Sequence, residues 1–489
     1  MLHQPDRYVK GIFPFFILPA LVAGVFWLCI KNTTYFIPLA AVFMLATSFL
    51  IVQLKLQTYL LKLLALFLPF SFELSVYSHA KILFPGELLI GIAALTLVIE
   101  IILEPQAFYR FFGGELRFAI PLMLIYPAST LFSTMPSVSA KFALINITYI
   151  LVFLFILKNI FSTYPKLFHQ MIILYSLGFS LVILYATFRF WQYGLNPVTT
   201  KGIFQPFYKD HTITGASASI LSAFWFASSV SAKKPVNRLR MAMAGVFFLY
   251  AVFLAHSRAA ILSMVAFGFV WLLLRMKIHF KYLAILSLVA LIFSGIFHRQ
   301  LYDKLYYNKY ISRKQNVEWS EFIKSAGNVT TDDSNVERLN RWYAGIKMFT
   351  ERPLTGFGPG TYQFAYIPFQ KKELTNRLTV TNPHKIPENS GGTAHSEYIL
   401  VLSETGVPGL AALLLLLGHW LWVVFVKSPH HPQRGKIIIS FAALSTYLFH
   451  AFFNNFLNTD KFAFLFWGMA AYLLSVYETN YDKRLLQNS

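Results

Sequence analysis

A histidine, three arginines and two carboxylates have the side-chain types and spacing for chemistry on a phosphorylated compound and a hydroxyl. His395 lies in GGTAHSEYILVLSETGVPGL, residues 391–410, where a long polar stretch runs into a helix-periodic apolar one. An imidazole at such a boundary titrates near neutrality and suits proton transfer. The other reading is an interfacial histidine at a helix start. Glu397 and Glu404 follow it and either could orient the ring, although Glu397 would also neutralise the positive end of the helix. Arg258, Arg338 and Arg341 offer the planar fork that binds phosphate oxygens bidentately. Each could instead be a snorkelling or surface residue. Arg258 has the strongest claim, because a charge in a short apolar hairpin is costly and suggests a partner. His211, in KDHTITGASASI, and His450 with Asn454 and Asn455 stand at the ends of apolar runs. Intramembrane polar groups of this kind either mark a pathway or make a structural contact.

Two further features carry a plain reading beside a chemical one. The GFGPG run at 356–360 could cradle phosphate through its amides or form a turn. Asp332 and Asp333 could bind a divalent cation, but helix capping explains them at lower cost. No nucleophile-elbow, P-loop or zinc-ligand spacing occurs. The arginine and histidine set is compatible with a reaction that needs no metal and no cofactor.

The elements that hold these groups must cross a membrane. Hydrophobic residues make up 56 % of the 489 and charged ones 13 %, about half the usual charged share. Phe, Tyr and Trp at 17 % suit aromatic belts at headgroups. An all-α polytopic membrane protein is expected, with membrane lipids around it. The net charge of +21 would fit a nucleic-acid binder if it gathered on one patch. The basic residues sit instead in short clusters between apolar runs, so nucleic acid is excluded as a partner. Cys29, the single cysteine, cannot form an internal disulfide and says nothing about redox compartment. The first apolar run follows Arg7 and Lys10, lacks a small-residue cleavage site and reads as a first span.

Runs long enough to span lie near 11–30, 34–52, 56–72, 84–104, 117–132, 140–161, 167–190, 211–231, 240–256, 258–275, 280–297, 396–426, 435–455 and 460–477. That is about 12–14 transmembrane helices, with the third and fifth runs short enough to be partial or re-entrant. From Met241 to Met276 a single helix would measure about 54 Å, against a core of about 30 Å. The chain must turn back, and His256-Ser257-Arg258 is the polar break. Three parts follow: an N-terminal bundle (1–297), a long loop (298–394) and a C-terminal bundle with its tail (395–489). With both termini inside, the short outer segments keep only Lys31, Lys81, Lys201, Lys209, Arg258 and Lys461. The other loop-borne basic residues then fall inside, as the positive-inside rule requires. Arg258, the long loop and His395 share the outer face.

The first half of the loop is basic and aromatic. Its second half contains a helix with capping-box spacing from Ser334 to Glu337. Leu339, Trp342, Tyr343, Ile346 and Phe349 form its apolar stripe, and Pro353 with the glycines ends it. The stretch 373–394 is expected to be mobile.

At these residues the sequence resembles the bacterial O-antigen ligase and polymerase superfamily. AHSEYILVLSETGVPGL is similar to its histidine motif, in which a histidine at the loop exit precedes a Leu-rich helix with Glu-X-Gly-X-X-Gly. ERLNRWYAGIKMFTERPLTGFGPGTYQF resembles its Arg-X-X-X-Trp helix followed by Pro-Leu-X-Gly-X-Gly, and HSRAAIL its Ser-Arg turn. Ser396 departs from the pattern, which often has Asn there. The resemblance covers about residues 205–475. It implies a membrane-embedded, GT-C-like glycosyltransferase in the bacterial inner membrane, with both termini cytoplasmic and the active site facing the periplasm. The implied donor is an undecaprenyl-diphosphate-linked glycan; the implied acceptor is another glycan, lipid A-core or a protein. By the same resemblance Arg258 and Arg338 hold the diphosphate and His395 acts at the acceptor hydroxyl, with inversion and without metal. A repeat-unit polymerase and a protein O-oligosaccharyltransferase differ from a ligase in the acceptor alone. A lipid-linked sugar flippase would show paired broken helices and groups at midplane.

The topology can be tested directly. Reporter fusions should place Lys233, Lys277 and Arg434 inside and Lys324 and Thr379 outside. An inside signal from the long loop would remove the basis for a shared outer site.

Overall fold

The computed structural model describes residues 36–77, 80–277, 333–382 and 392–485. The expected runs near 11–30 and 280–297, the basic half of the loop and Asp332 lie outside the described residues. Each of the other runs is a helix: α1 (Phe36–Gln53), α2 (Gln57–Phe67), α3 (Gly86–Leu103), α4 (Ile120–Leu131), α5 (Pro136–Thr163), α6 (Pro165–Gln192), α7 (His211–Ser231), α8 (Pro235–Leu254) and α9 (Arg258–Arg275). The loop helix α10 is Asp333–Glu351, and α11 (Glu397–Lys427), α12 (Arg434–His450) and α13 (Asp460–Leu485) complete the order. Pro136, Pro165 and Pro235 each open a helix, where a missing N–H costs nothing and φ is already set. The chain is an all-α membrane protein, and among the described residues seven helices are long and apolar enough to cross a bilayer. With 11 and 12 residues, α2 and α4 measure about 16–18 Å, too short for a core of about 30 Å.

The sequence reading did not foresee one small element. Strand β1 (Phe72–Tyr77) pairs antiparallel with β2 (Ala80–Phe84), Phe72 opposite Phe84 and Leu74 opposite Ile82. Lys461 Nζ reaches the Ser71 carbonyl at 2.6 Å and so ties this hairpin to the start of α13.

Of the seven long apolar helices α7 is the most buried, at 78 % of its apolar stretch against 22 % for α8, and α13 is buried throughout 460–477. Its run Gly215-Ala216-Ser217-Ala218-Ser219 is nearly free of bulk, so neighbouring backbones approach closely. A Cβ at Gly215 would lie 3.0 Å from the Cβ atoms of Ser257 and Ala260, and Ser219 Oγ donates to the Ala260 carbonyl at 3.3 Å. The turn between α8 and α9 is thereby seated against α7. Helix α12 packs on α7, α9 and α13, and α10 packs on α11.

In the described part of the loop, tertiary contacts take groups that the sequence assigned to local roles. No capping box forms, because the Glu337 carboxylate is taken by Arg341 Nε (2.8 Å) and Thr379 Oγ1 (2.9 Å). A buried opposite charge is a stronger partner than a backbone amide. The apolar stripe does not face the loop's core: Tyr343 and Ile346 are 37 % and 49 % exposed, while Val336, Glu337, Asn340, Arg341, Ala344 and Met348 are buried. The loop's own small cluster, with Phe357, Tyr362, Tyr366 and Val380, lies on that polar and small-residue face. The described part of 373–394 is anchored, since Val380 is buried and Asn376 Nδ2 donates to the Asp333 carbonyl at 2.7 Å.

The glycine run is a clamp on α11. Phe357 N and Gly358 N donate to the carbonyls of Ser403 (3.1 Å) and Glu404 (2.8 Å), and Tyr362 N donates to Glu404 Oε1 at 2.9 Å. These amides serve a residue of the chain itself, so the phosphate-cradle reading gives way to the turn. The clamp coincides with a break in α11, where Gly406 has φ 68° and ψ −165° and Val407 N turns to the Pro353 carbonyl at 2.8 Å. Gly356 also has positive φ, and a Cβ there would collide with the Glu404 backbone. Gly356→Ala should therefore destabilise by more than the ~1–2 kcal/mol that a left-handed alanine costs. Gly268→Ala, a substitution into open space, should leave the unfolding temperature unchanged or raised. Equal unfolding temperatures for wild type and Gly356→Ala would remove the clamp.

Candidate active site

Three helices begin at the loop-bearing end of the bundle, each with a polar cap next to a residue of interest. Asp210 caps α7, its side chain accepting from Thr212 N at 2.8 Å, and His211 follows. Ser257 caps α9 through Ala260 N (3.4 Å), and Arg258 follows. Ser396 caps α11 through Ile399 N (3.5 Å), and Glu397 follows. The residues before the two serine caps are His256, with φ 46°, and His395, with φ 50°. Left-handed backbone is uncommon for a residue bearing a Cβ, and such strain gathers at functional sites. His256 is a residue that the sequence reading passed over as part of a polar break. The signal was present: His-Ser precedes a helix twice, in HSRAAIL and in HSEYIL.

The loop helix α10 holds the His395 segment from above. Trp342 Nε1 donates to the His395 carbonyl at 3.1 Å, and Arg341 Nη1 donates to the Thr393 carbonyl at 2.9 Å. Arg341 is fully buried, pairs with Glu337 at 2.8 Å and lies over the Tyr366 ring. Its guanidinium is thus engaged in positioning the residues before His395. Arg338, one turn before Trp342, is half-buried, and its Nη1 donates to Ser334 Oγ and Asn335 Oδ1, both at 3.2 Å. Its charge acts on both His211 and His450, and His256 also acts on His211. The Arg258 turn packs on the start of α7, the Trp342 ring lies 6.3 Å from that of Phe453 after α12, and these ends therefore lie near one another. Burial holds the His256 imidazole below its ordinary pKa of 6.5, so it is neutral at pH 7 and can accept a hydrogen bond.

The two glutamates each bind other parts of the chain. Glu397 Oε2 accepts from Tyr447 OH (2.6 Å) and Phe456 N (3.1 Å), joining α11 to the link between α12 and α13. Glu404 holds the glycine clamp. His211 sits 3.5 Å from Asp210. His450 is fully buried, with Nε2 2.9 Å from Asn454 Nδ2. His450 Nδ1 and both polar atoms of Asn455 are buried with no hydrogen-bond partner among the described residues. Such unmet groups cost about 1–3 kcal/mol each. Asp333 pairs with Arg377 at 2.6 Å, and among the described residues no three His, Cys, Asp or Glu side chains are disposed to hold a metal ion.

The two arginines of α10 should separate by experiment. Arg341→Ala leaves the Glu337 charge buried with Thr379 as its partner and no counter-charge, and should cost about 3–5 kcal/mol, read as a lower unfolding temperature and faster proteolysis of the loop. Arg338→Lys should leave both unchanged. Similar losses in the two variants would make Arg338 another scaffold residue.

No curated protein matches the chain. Residues 243–414 match the family model described as O-antigen ligase. That segment, about a third of the chain, contains Arg258, Arg338 and His395, and in it the chain is similar to the O-antigen ligases.

Proposed function

We propose that this protein transfers a glycan from an undecaprenyl-diphosphate-linked donor to an acceptor hydroxyl at the periplasmic face of the bacterial inner membrane. The observation that carries the reading is the convergence of the Arg258 turn, the Arg338 helix and the His395 peptide at one end of the helices. In the proposed step the bond from the anomeric carbon to the diphosphate oxygen breaks, and that oxygen leaves with the electron pair. Arg258 and Arg338 stabilise the charge that develops there, a role that fixed cations fill without reorganisation. The acceptor oxygen attacks from the opposite side, which inverts the anomeric centre, and His395 takes or directs its proton. Arg341 and Trp342 hold the His395 peptide in its strained conformation, so they act as positioning residues. His211 and His256 face the same end and, when neutral, offer acceptors to sugar hydroxyls. No step in this scheme calls for a metal ion.

Purified protein with a lipid-linked glycan and candidate acceptors should form a covalent product that persists in EDTA. His395→Ala should fold and bind donor while losing about a hundred- to ten-thousand-fold in rate. Arg258→Lys keeps the charge but loses the fork, so transfer should fall severely at unchanged protein level. Near wild-type transfer in both variants would reduce these residues to a helix start and a topology charge.

A further inference from the structure

A second polar site lies at the other end of the helices, away from His395. The starts of α6 and α12 flank α13 around a cleft of about 220 Å³ lined by Pro165, Lys166, His169, Lys436 and Tyr472. Both helices begin without a side-chain cap and without an acidic residue in the first turn. Backbone carbonyls take the amides of Leu167, Arg434 and Lys436, but no acidic side chain of either first turn offsets the positive dipole ends. Three side chains of the cleft, Lys166, His169 and Lys436, are exposed around these ends, and Lys436 is near enough to His169 to act on it electrostatically. Beside them Arg434 Nη2 donates to the Leu274 carbonyl at 2.8 Å, while its Nε is buried with no partner among the described residues.

The floor adds an independent sign. Tyr472 is 2 % exposed, stacks on Phe168 with ring centroids 3.7 Å apart, and its hydroxyl is buried with no partner among the described residues. Nearby acids are occupied: Glu478 pairs with Lys158, and Glu115 with His419. Helix N-termini with basic side chains and a spare hydroxyl are the chemistry of a phosphate site. Basic pockets between transmembrane helices at a membrane face take lipid headgroups. The proline and aromatic walls favour a ligand that carries an apolar tail.

We infer that this cleft binds the phosphate headgroup of an anionic lipid from the leaflet at that end and so joins α6, α12 and α13. The inference stands apart from the glycan-transfer reading. Its test uses the full chain in detergent, with phosphatidylglycerol, phosphatidylcholine or inorganic phosphate added separately. Lipid retention is read by native mass spectrometry and protection by the unfolding temperature. Wild type should retain phosphatidylglycerol over phosphatidylcholine and be stabilised by it. A Lys166→Gln and Lys436→Gln double variant should bind it about thirtyfold more weakly, at about fivefold for each basic residue removed. Tyr472→Phe should lower retention while the folded fraction holds. The same substitution at Lys233 and Lys234, basic residues of the α7–α8 link, should change nothing. Equal retention by the Lys166/Lys436 variant and wild type would leave these lysines as topology charges and overturn the site. Equal protection by inorganic phosphate would overturn the lipid as its ligand.

Discussion

In the middle of the C-terminal sequence, the carboxylate of Glu404 accepts the Tyr362 amide at 2.9 Å, while the carbonyl of the same residue accepts Gly358 N at 2.8 Å. A loop outside the membrane is thereby fastened to a helix that crosses it. The fastening needs three departures from ordinary backbone. Helix α11 opens at Gly406, and Gly356 and Gly358 take positive φ, conformations open to glycine at little steric cost. The freed groups of the break are not wasted, because Val407 N finds the Pro353 carbonyl. A break inside a membrane helix is tolerated where other parts of the protein satisfy its backbone in this way.

Once the loop is fastened, α10 has a fixed height above the helix starts, and the candidate site follows from that height. Arg341 and Trp342 take hold of two carbonyls two residues apart, those of Thr393 and His395. The left-handed backbone of His395 persists because both sides of the residue are held: Trp342 binds its carbonyl, and Ser396 and Glu397 begin α11. Glu397 N in turn donates to the Ala451 carbonyl at 2.8 Å. This arrangement accounts for burying the polar face of α10 while Tyr343 and Ile346 stay outside. The face that carries Glu337 and Arg341 has to meet the chain it positions, and the buried pair is held by further bonds to Thr379 and the Thr393 carbonyl.

The two ends of the bundle differ in how they treat charge. At the His395 end the cationic and imidazole groups are half-buried or buried, and polar atoms of His450 and Asn455 are buried without a partner among the described residues. At the other end the lysines are exposed and the starts of α6 and α12 carry no acidic residue in the first turn. A charge drawn into the boundary is costly and calls for a ligand or a partner, whereas an exposed lysine is free to meet headgroups.

Sequence alone placed the described helices in order, because a long apolar run beside a bilayer satisfies its backbone most readily as a helix. It also located the Arg258 turn, since a helix about 54 Å long cannot fit the bilayer, and it singled out His395, Arg258 and Arg338 by their motifs. The partners of Arg341, Glu397 and Glu404 were decided by tertiary structure. All three have the side chains of binding residues, and each is consumed by a partner distant in sequence: the Thr393 carbonyl, the Tyr447 hydroxyl and the Tyr362 amide. The buried face of α10 was decided in the same way. Periodicity reports which side of a helix is apolar, but beside a membrane the apolar side can be the one that faces away from the protein. The capping box failed for a related reason, as local spacing offered Glu337 a backbone amide and the fold brought it a buried guanidinium.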